Sequence, residues 1–388
     1  MSTPPRPRAI VIGGSLGGLF SAVCLRAAGW NVVVFERSPQ ELDSRGGGLV
    51  LQPGVIDALD FAGIDPGADF GVPSRDRVFV DRNGAERRAY MPQTQIAWNG
   101  LYLRMRRAVG PATLRAGETF TAFEQDGSRV TARFASGHTE EGDLLIGADG
   151  PLSAVRAQLL PGARPTYAGY AAWRGVLPEA ALLSVSEQLL RDSFVFQDGR
   201  AHQFLSYRIP GEDGSVRPGE RRQNWVWYRK IAQGPELDAL LHDRVGQRHN
   251  YSLPPGAMRD AEIRSLQMSA LDVLAPALAG LVTATPDPFL QLIHDYEAPR
   301  MVFGRAVLLG DAAFVARPHT GAGAGKAAAN AVALARALQG RAVDDGDGAG
   351  GIDRALAAWE QDQLPADRRL VKWGIALGQR IMGAAQPA

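Results

Sequence analysis

Residues 8–18 read Arg8-Ala-Ile-Val-Ile-Gly-Gly-Ser-Leu-Gly-Gly18, a short apolar run rich in β-branched residues that stops at glycines. Such a run is typical of a buried strand followed by a tight turn. Residues 19–28 then place apolar side chains at helical spacing, and Gly29 follows them as a helix-ending residue. Residues 31–35, Asn-Val-Val-Val-Phe, are apolar as a doubly covered parallel strand requires. The sequence therefore predicts a βαβ unit over residues 8–36.

The glycine turn has the spacing Gly13-x-Ser15-x-x-Gly18, which is the GxGxxG loop with serine in place of its second glycine. That loop brings the backbone close to a pyrophosphate and points helix N–H groups at it. An acid at the end of the second strand hydrogen-bonds the adenosine ribose, and Glu36 stands there. The alternative is a plain βα turn with an exposed Glu. The predicted dinucleotide contacts are Gly13, Gly14, Ser15, Leu16, Gly18, Glu36 and Arg37.

Two later stretches also place an acid directly after a buried strand. The first is Leu144-Leu-Ile-Gly-Ala-Asp149-Gly150, and the second is Gly304-Arg-Ala-Val-Leu-Leu-Gly310-Asp311. A carboxylate in this position can bind ribityl or ribose hydroxyls. Residues 318–323, Pro-His-Thr-Gly-Ala-Gly, follow the second acid and precede a predicted helix. Their N–H groups can hold an anion or a polarised carbonyl.

In this order, the three motifs resemble those of the class A flavin-dependent aromatic hydroxylases, which have the p-hydroxybenzoate hydroxylase fold. Within that family the chain is most similar to members acting on dihydroxypyridines, through residues 165–170, 173–177, 234–238 and 317–319. The resemblance implies that the first loop and Glu36 hold the ADP half of FAD. It further implies that Asp149 belongs to a motif linked to FAD and NADPH, and that Asp311 binds the ribityl chain. The resemblance places Gly321, Ala322 and Gly323 against the edge of the flavin ring, and Gly310 and Pro318 are further expected cofactor contacts.

The resemblance also implies the chemistry. NADPH or NADH would reduce FAD, and O2 would form a flavin C4a-hydroperoxide that hydroxylates a small electron-rich ring, such as 2,6-dihydroxypyridine. His319 is the expected catalytic residue, because an unperturbed imidazole can take a phenolic proton near neutral pH. Two departures from the family pattern stand out: Tyr102 where many relatives have Arg, and Asn330 where an acid is usual.

Candidate substrate contacts come from strand aromatics and from the chain after the Gly46-Gly-Gly run. Tyr207 lies on predicted strand 202–209, and Trp227 and Tyr228 are neighbours on predicted strand 224–228. Because side chains alternate along a strand, only one of the last two can face the flavin. The expected contacts are Val50, Gln52, Tyr207 and Trp227.

Composition excludes several other classes of protein. The 388 residues carry 42 Lys and Arg against 41 Asp and Glu, so nucleic-acid binding by phosphate neutralisation is not expected. The single cysteine and six histidines are too few and too scattered for a structural metal site. No apolar run reaches the roughly 18–20 residues that span a bilayer, so we expect a cytoplasmic protein without a membrane segment. A homodimer remains open.

The expected fold class is α/β: a Rossmann-like FAD-binding domain with an inserted β-sheet substrate domain and C-terminal helices. Further strands are predicted at 119–125, 129–134, 143–147, 194–197 and 305–309. A helix is predicted from about 325 to 338, and helical structure interrupted at Pro365 over 352–382. The FAD-binding domain takes 1–70, 113–165 and 301–345. The other segments are 71–112 (insert and helix), 166–300 (β-rich substrate domain) and 352–388, after an Asp/Gly linker at 344–351.

Other functions stay open at this point. The ring could be another phenol, 6-hydroxynicotinate, or a natural product that is hydroxylated or epoxidised. A nicotinamide-dependent dehydrogenase would use the first glycine loop but would leave Gly310-Asp311 and residues 321–323 without a purpose. A flavin-binding protein without turnover is the third alternative.

Overall fold

The computed structural model describes residues 6–40, 42, 47–340 and 351–383. Its strands are β1 (Arg8–Ile12), β2 (Asn31–Glu36), β3 (Gly48–Val50), β4 (Val72–Val80), β5 (Glu86–Ala97), β6 (Leu114–Ala116), β7 (Phe120–Gln125), β8 (Val130–Phe134), β9 (Thr139–Gly142), β10 (Leu144–Gly147), β11 (Thr166–Pro178), β12 (Ser193–Gly199), β13 (His202–Ile209), β14 (Arg222–Lys230), β15 (Ser252–Leu253), β16 (Phe289–Glu297), β17 (Val302–Phe303), β18 (Ala306–Leu308) and β19 (Phe314–Val315).

Its helices are α1 (Leu16–Ala27), α2 (Pro53–Phe61), α3 (Trp98–Val109), α4 (Ala154–Leu159), α5 (Ser184–Leu190), α6 (Pro235–Leu240), α7 (Asp260–Val273), α8 (Pro276–Ala284), α9 (Gly323–Leu338) and α10 (Gly351–Met382). Short 3₁₀ turns lie at Glu179–Ala181, Gly310–Ala312 and Pro318–Thr320.

A largely parallel sheet carries the first motifs, with strand order β17-β18-β10-β1-β2-β6. Ile146 of β10 pairs with Val11 of β1 on one side and with Val307 of β18 on the other. β1, β10 and β18 run parallel, so their carboxyl ends meet at one edge. The chain's start, middle and later part thus deliver their motifs to the same place. The predicted Rossmann-like α/β fold is confirmed.

Helix α1 lies buried against this sheet because nearly all its side chains are apolar or small. It packs on α9 and α3, and Leu19, Phe20 and Leu25 have no exposed surface. Gly29 ends the turn after the helix with φ +93°, in the left-handed region that glycine tolerates best. The helix thereby covers one face of β1 and fixes the direction of the glycine loop that precedes it.

A second, mixed sheet has the strand order β15-β16-β11-β14-β13-β12-β4-β5-β3. One face packs on α7 and α8 through an apolar cluster that includes Trp173, Trp225 and Trp227. The opposite face carries Tyr170, Tyr207 and Tyr228. Helices α7 and α8 lie within a stretch expected to be mainly β. Their apolar residues cover the tryptophan face and leave the tyrosine face for a cavity.

The expected interruption at Pro365 is wrong, because α10 continues through it. Proline has no N–H to donate to the carbonyl four residues earlier, which weakens a helix interior. Here both flanks are held by burial: Leu356 and Trp359 before the proline, and Val371 and Gly374 after it. Tertiary packing therefore outweighs the local cost. Residues 344–350 of the expected linker lie outside the described residues.

Replacing Pro365 by alanine should stabilise the protein. Pro365 is exposed, so the substitution restores a helix hydrogen bond without opening a cavity. We expect the free energy of unfolding to rise by about 1–3 kcal/mol, measured by urea denaturation. Arg369→Ala, at another exposed position of α10, is the control and should change stability by less than about 0.5 kcal/mol. A loss of stability in P365A would mean that the protein needs the proline in this helix.

Candidate active site

The glycine loop is held by contacts that leave no room for side chains. Gly13 adopts φ +110°, and a Cβ there would lie 2.5 Å from the Ala148 carbonyl oxygen. A Cβ at Gly18 would overlap the Gly13 carbonyl, and one at Gly14 would lie 2.7 Å from the Glu36 Cβ. The loop therefore packs directly against the ends of β10 and β2, at the sheet edge where β1 stops.

The N-terminus of α1 is open to an anion. Ser15 is the N-cap residue, but its hydroxyl does not cap the helix, which leaves the first N–H groups, from Leu16 onward, without that partner. Glu36 accepts the Gly14 N–H at Oε2 and the Ser38 N–H at Oε1, each at 2.8 Å. A carboxylate held in this way keeps lone pairs for ribose hydroxyls. Arg37 is exposed beside it.

Asp149, at the end of β10, has a structural task as well as the expected one. Its Oδ2 accepts the N–H groups of Ala154 and Val155 at 2.7 and 3.2 Å and so caps α4. Its Oδ1 is buried with no hydrogen-bond partner. Burial raises the pKa of this carboxyl above its usual range, against the hydrogen bonds that lower it. One oxygen of Asp149 thus remains for a ligand group.

Gly310 and Asp311 are fixed by a buried lysine that the sequence analysis did not single out. Lys326 Nζ donates to the Gly310 carbonyl at 3.1 Å, to Asp311 Oδ1 at 3.1 Å, and to the Phe314 carbonyl. The Lys326 side chain is 1% exposed, whereas that of Asp311 is 47% exposed in the cavity described below. The ammonium group holds one oxygen of Asp311 and leaves the rest of the carboxylate accessible.

A cavity of about 880 Å³ lies between the tyrosine face of the mixed sheet, the segment 311–324 and the end of α10. Asp311, Pro318, His319, Gly321 and Gly323 line it. Ala322 is the N-cap of α9 and gives no side-chain cap, so the first N–H groups of this helix also lack a side-chain partner. Of the residues expected at the flavin, Pro318, Gly321 and Gly323 therefore line one wall of the cavity, whereas Gly310 and Ala322 do not.

His319 is hydrogen-bonded into the tyrosine face. Its Nε2 lies 2.8 Å from the Tyr170 hydroxyl, and its ring centroid lies 4.2 Å from that of Tyr228. Its Nδ1 is buried without a partner. Burial, together with the charge of nearby Arg317, lowers the pKa of His319 to about 3. The assumption of an unperturbed pKa near 6.5 was wrong, because the imidazole is partly buried and lies beside a cation.

Three of the four expected substrate contacts line this cavity, namely Val50, Gln52 and Tyr207. Trp227 does not, and this expectation is corrected. Its indole lies on the helix-covered face of the sheet, where Nε1 donates to His202 Nδ1 at 3.3 Å. Alternation along β14 instead turns Tyr228 into the cavity.

The described glycines of the run 46–48 lie against side chains of the mixed sheet. Of these residues, Gly47 and Gly48 are described, and Gly46 lies outside the described residues. A Cβ at Gly48 would overlap the Tyr207 ring, and a Cβ at Gly47 would overlap the Asn224 amide. Gly48 N–H also donates to Asn224 Oδ1 at 2.9 Å. These two glycines let the chain pass closely over the tyrosine face of the mixed sheet.

Arg174 is a further cavity residue that the sequence analysis missed, although it stands in the quoted stretch 173–177. It donates to Gln291 Oε1 at 3.1 Å, while its Nε is buried without a partner. Among the described residues, no carboxylate lies within salt-bridge distance of it. The sequence around Arg174 does not indicate whether its charge is paired. Only the folded sheet shows which groups lie near the guanidinium.

Comparisons with known proteins agree with this geometry. Residues 167–295 match a family model described as FAD binding domain-like. The chain is 35% identical to 2,6-dihydroxypyridine 3-monooxygenase of Paenarthrobacter nicotinovorans over 93% of this chain and 88% of that protein. The chain belongs to the class A flavin-dependent aromatic hydroxylases.

Two more relatives extend the comparison. The chain is 29% identical to 6-hydroxynicotinate 3-monooxygenase of Bordetella bronchiseptica, over 88% of this chain and 85% of that protein. The solved structure of 2,6-dihydroxypyridine-3-hydroxylase from Arthrobacter nicotinovorans superposes with a TM-score of 0.90 and 31% identity, covering 99% of this chain and 95% of that one. The hydroxylase is thus an FAD-dependent monooxygenase that uses NAD(P)H as cosubstrate.

The residues of the hydroxylase fit FAD on structural grounds. The glycine cradle has no space for side chains, both helix N-termini lack side-chain caps, and Asp149 keeps a buried oxygen unpartnered. In the part of the chain that is described, no group of three or more His, Cys, Asp and Glu side chains is arranged to hold a metal. Within the same residues, no helix has the length and apolarity to cross a membrane.

Removing the Asp311 carboxylate should weaken FAD binding. The side chain projects into the cavity from the sheet edge where the glycine loop lies, and Lys326 fixes its position. We expect Asp311→Ala to raise the dissociation constant of FAD roughly 10- to 100-fold, since charge-assisted hydrogen bonds contribute about 1.5–3 kcal/mol. Flavin fluorescence titration of the apoprotein measures this. Asp198→Ala, on another wall of the cavity, is the control and should bind FAD with the wild-type affinity. Equal FAD affinity in the two variants would contradict the role of Asp311.

Proposed function

We propose that the hydroxylase adds an oxygen atom from O2 to a small hydroxylated N-heteroaromatic ring, with 2,6-dihydroxypyridine as the first candidate. The observation that carries the proposal is that His319 and Arg174 line one cavity together with tyrosines. The similarity to a dihydroxypyridine monooxygenase over most of both chains supports it. When bound, FAD supplies the activation of oxygen, and the chain's own residues bind the ring and keep it in its reactive form.

The cofactor residues are proposed as follows. The ADP half of FAD would lie on the glycine loop and the N-terminus of α1, with its ribose at Glu36. Asp149 and Asp311 would take hydroxyl groups nearer the flavin. The remaining proposed contacts are Gly13, Gly14, Ser15, Leu16, Gly18, Arg37, Gly310, Pro318, Gly321, Ala322 and Gly323.

The ring itself would lie between Tyr207, Tyr228 and the segment 318–323. Tyr207 is held under Gly48 and makes an edge contact with Phe194, with ring centroids 4.6 Å apart. Gln52 packs against residues 321–325, where an added Cβ at Gly325 would lie 2.8 Å from the Gln52 Cβ. Flat aromatic walls suit a planar ring, and the amide of Gln52 can orient its polar substituents.

Arg174 would select the ionised form of the ring. A hydroxypyridine or phenol donates electrons more strongly once it has lost its proton, and attack by an electrophilic oxygen needs an electron-rich carbon. An unpaired guanidinium in a partly buried cavity stabilises an anion more than it would in water. Burial meanwhile raises the pKa of Tyr207 to about 12, with Arg174 opposing the shift. The tyrosines therefore stay neutral, and the negative charge rests on the ligand.

His319 would act by hydrogen bonding and not as a base that carries a full proton. An imidazolium with a pKa of about 3 gives up its proton readily, so the neutral ring is the stable form at physiological pH. Tyr170 fixes Nε2, and Arg317 is in turn fixed by Asp295 at 2.6 Å. Nδ1 is thereby left as the atom that can contact a ring hydroxyl or its anion.

A ring that carries a carboxylate is the second candidate, and Arg174 is the observation in its favour. A guanidinium binds a carboxylate through two parallel hydrogen bonds, which suits 6-hydroxynicotinate. A relative with that activity shares 29% identity with this chain. The two candidates differ in whether Arg174 contacts a ring oxygen or a carboxylate.

A substrate panel tests the proposed function. Purified hydroxylase is mixed with NADH or NADPH and with 2,6-dihydroxypyridine, 6-hydroxynicotinate, salicylate or no aromatic compound. We expect 2,6-dihydroxypyridine to accelerate NAD(P)H oxidation and to yield one hydroxylated product per NAD(P)H consumed. Product is measured by mass spectrometry and hydrogen peroxide by a coupled assay. Preferred hydroxylation of 6-hydroxynicotinate would select the second candidate, and exclusive peroxide formation with every ring would reject both.

The role of His319 predicts both a loss of activity and a pH profile. We expect His319→Ala to lower the rate of product formation about 10- to 100-fold while flavin stays bound, because one hydrogen-bond donor or acceptor at the reacting ring is lost. Tyr170→Phe should have a smaller effect of the same kind, since it frees the imidazole without removing it. The ratio of peroxide to product should rise in both variants.

The pH prediction follows from the lowered pKa of His319. The folded pKa of about 3 lies below the unfolded value near 6.5, so the unfolded state binds the proton more readily in that window. Titration of His319 therefore leaves the free energy of unfolding unchanged above pH 6.5. That free energy falls as the pH drops from 6.5 toward 3, because the unfolded state takes up the proton first. In ¹⁵N NMR spectra, the His319 signal is identified by its absence in His319→Ala. From pH 5 to 8 its chemical shift should be that of a neutral imidazole, and a titration midpoint near 6.5 would contradict the lowered pKa.

A further inference from the structure

The cavity contains a row of side chains that crosses the mixed sheet from β11 to β5. Each member is paired in register with the next, so all of them lie on the tyrosine face. Every one of them lines the cavity. In order across the sheet, the row is Arg174, Val226, Leu205, Phe196, Phe79 and Arg87.

The outer end of this row is aromatic and cationic. Phe79 and Phe196 are stacked with centroids 5.4 Å apart, and the Arg87 guanidinium lies 4.5 Å above the Phe79 ring. Arg77 lies 5.5 Å from the ring of Phe196 and 5.7 Å from that of Phe194. We call these five residues the outer arginine–phenylalanine cluster.

The charges of this cluster are unpaired in the described structure. Arg77 donates to the neutral amide of Gln93 at 3.2 Å, and Arg87 makes its contact with an aromatic ring. Among the described residues, neither guanidinium has a carboxylate within salt-bridge distance. By contrast, the neighbouring Arg88, which points to the opposite face, is paired with Glu86 at 2.7 Å. The two arginines on the cavity face are therefore available to an anionic ligand.

The row is too long for a single ring. Five strand spacings of about 4.8 Å separate Arg174 from Arg87, roughly 24 Å in all. A hydroxypyridine beside His319 and Arg174 would occupy only the inner end. The hydroxylase also uses NAD(P)H, which has to bring its nicotinamide to the flavin. The remaining length runs outward from the flavin edge to the outer arginine–phenylalanine cluster.

We infer that the outer arginine–phenylalanine cluster is the binding site for the adenosine diphosphate part of NAD(P)H. Arg77 and Arg87 contact the diphosphate, and Phe79 and Phe196 provide flat apolar surfaces on which the adenine stacks. The nicotinamide end then reaches inward along Leu205 and Val226 toward the segment 318–323. The cosubstrate and the ring share one cavity but are recognised at opposite ends of the row.

The chemistry of the cluster fits a dinucleotide better than a second aromatic substrate. Two separate cations suit a ligand with two phosphate charges, whereas an ionised ring already has Arg174. Arginine that lies over an aromatic ring is also held flat, which leaves its N–H edge free for phosphate oxygens. This inference does not depend on which ring is hydroxylated, so it can hold or fail independently of the proposed substrate.

Binding of ADP-ribose to the FAD-loaded hydroxylase tests the inference without turnover. ADP-ribose has the adenosine diphosphate part and lacks nicotinamide. We expect calorimetric binding to the wild type, competition with NAD(P)H in anaerobic flavin reduction, and no competition with the aromatic substrate. In Arg87→Ala and Arg77→Ala, the dissociation constant of ADP-ribose should rise roughly 5- to 20-fold, a typical loss for a charge-assisted contact. The NAD(P)H concentration for half-maximal flavin reduction should rise equally, with an unchanged limiting rate.

Arg88→Ala is the matched control, because it removes an arginine from the next position of β5 on the opposite face. It should bind ADP-ribose as the wild type does, and an unchanged flavin spectrum verifies that each variant is folded and loaded. Arg87→Lys should recover part of the affinity. The inference is overturned if ADP-ribose fails to bind the wild type, or if Arg87→Ala and Arg88→Ala bind it equally. It is also overturned if Arg87→Ala weakens binding of the aromatic substrate and leaves that of ADP-ribose unchanged.

Discussion

The parallel pairing of β1, β10 and β18 is the constraint on which the site depends. These three strands come from positions near 10, 146 and 307, and each ladder is short. Their residues are almost fully buried because helices and β7–β9 cover the sheet. A parallel register fixes which ends meet, so the glycine loop, Asp149 and Asp311 must lie at one edge. Without that pairing, the three motifs would be unrelated turns.

A buried ammonium group fixes the part of this edge that the sheet itself does not reach. After β18 the chain leaves regular structure, and Lys326 ties the carbonyls of Gly310 and Phe314 to the first turns of α9. Asn330, one of the two departures from the family pattern, donates through Nδ2 to Asp367 Oδ2 of α10 at 3.1 Å. Burial raises the pKa of Asp367 to about 6, while the nearby Lys326 opposes the shift. An acid is thus present close to this position, but it comes from the C-terminal helix.

Local sequence patterns predicted the strands and helices that are buried along their whole length, and they failed for features that depend on tertiary contacts. β1, α1 and β2 were predicted from the spacing of their apolar residues and from the glycines in the turns between them. The sequence could not predict whether Trp227 or Tyr228 faces the cavity. Alternation along a strand shows that the two side chains lie on opposite faces of the sheet, but it does not show which face α7 and α8 cover. The pKa of His319 likewise depends on burial of the imidazole and on its distance from Arg317, and both are set by the fold. Pro365 was misjudged because helix propensity is weaker than the packing of Trp359 and Val371 on both sides.

The mixed sheet shows how one element separates stability from chemistry. Its tryptophan face is closed by helices and contributes apolar burial, and the indole groups there find internal partners, as Trp225 does with Thr285 at 2.9 Å. Its other face has tyrosines, amides and arginines, and Arg77, Arg87 and Arg174 there have no carboxylate partner among the described residues. Burying such groups in a packed core would cost free energy. That cost is avoided next to a cavity that water or ligands fill. A sheet that pairs every strand in register can therefore hold unpaired cations at defined spacings, because its backbone does not depend on their side chains.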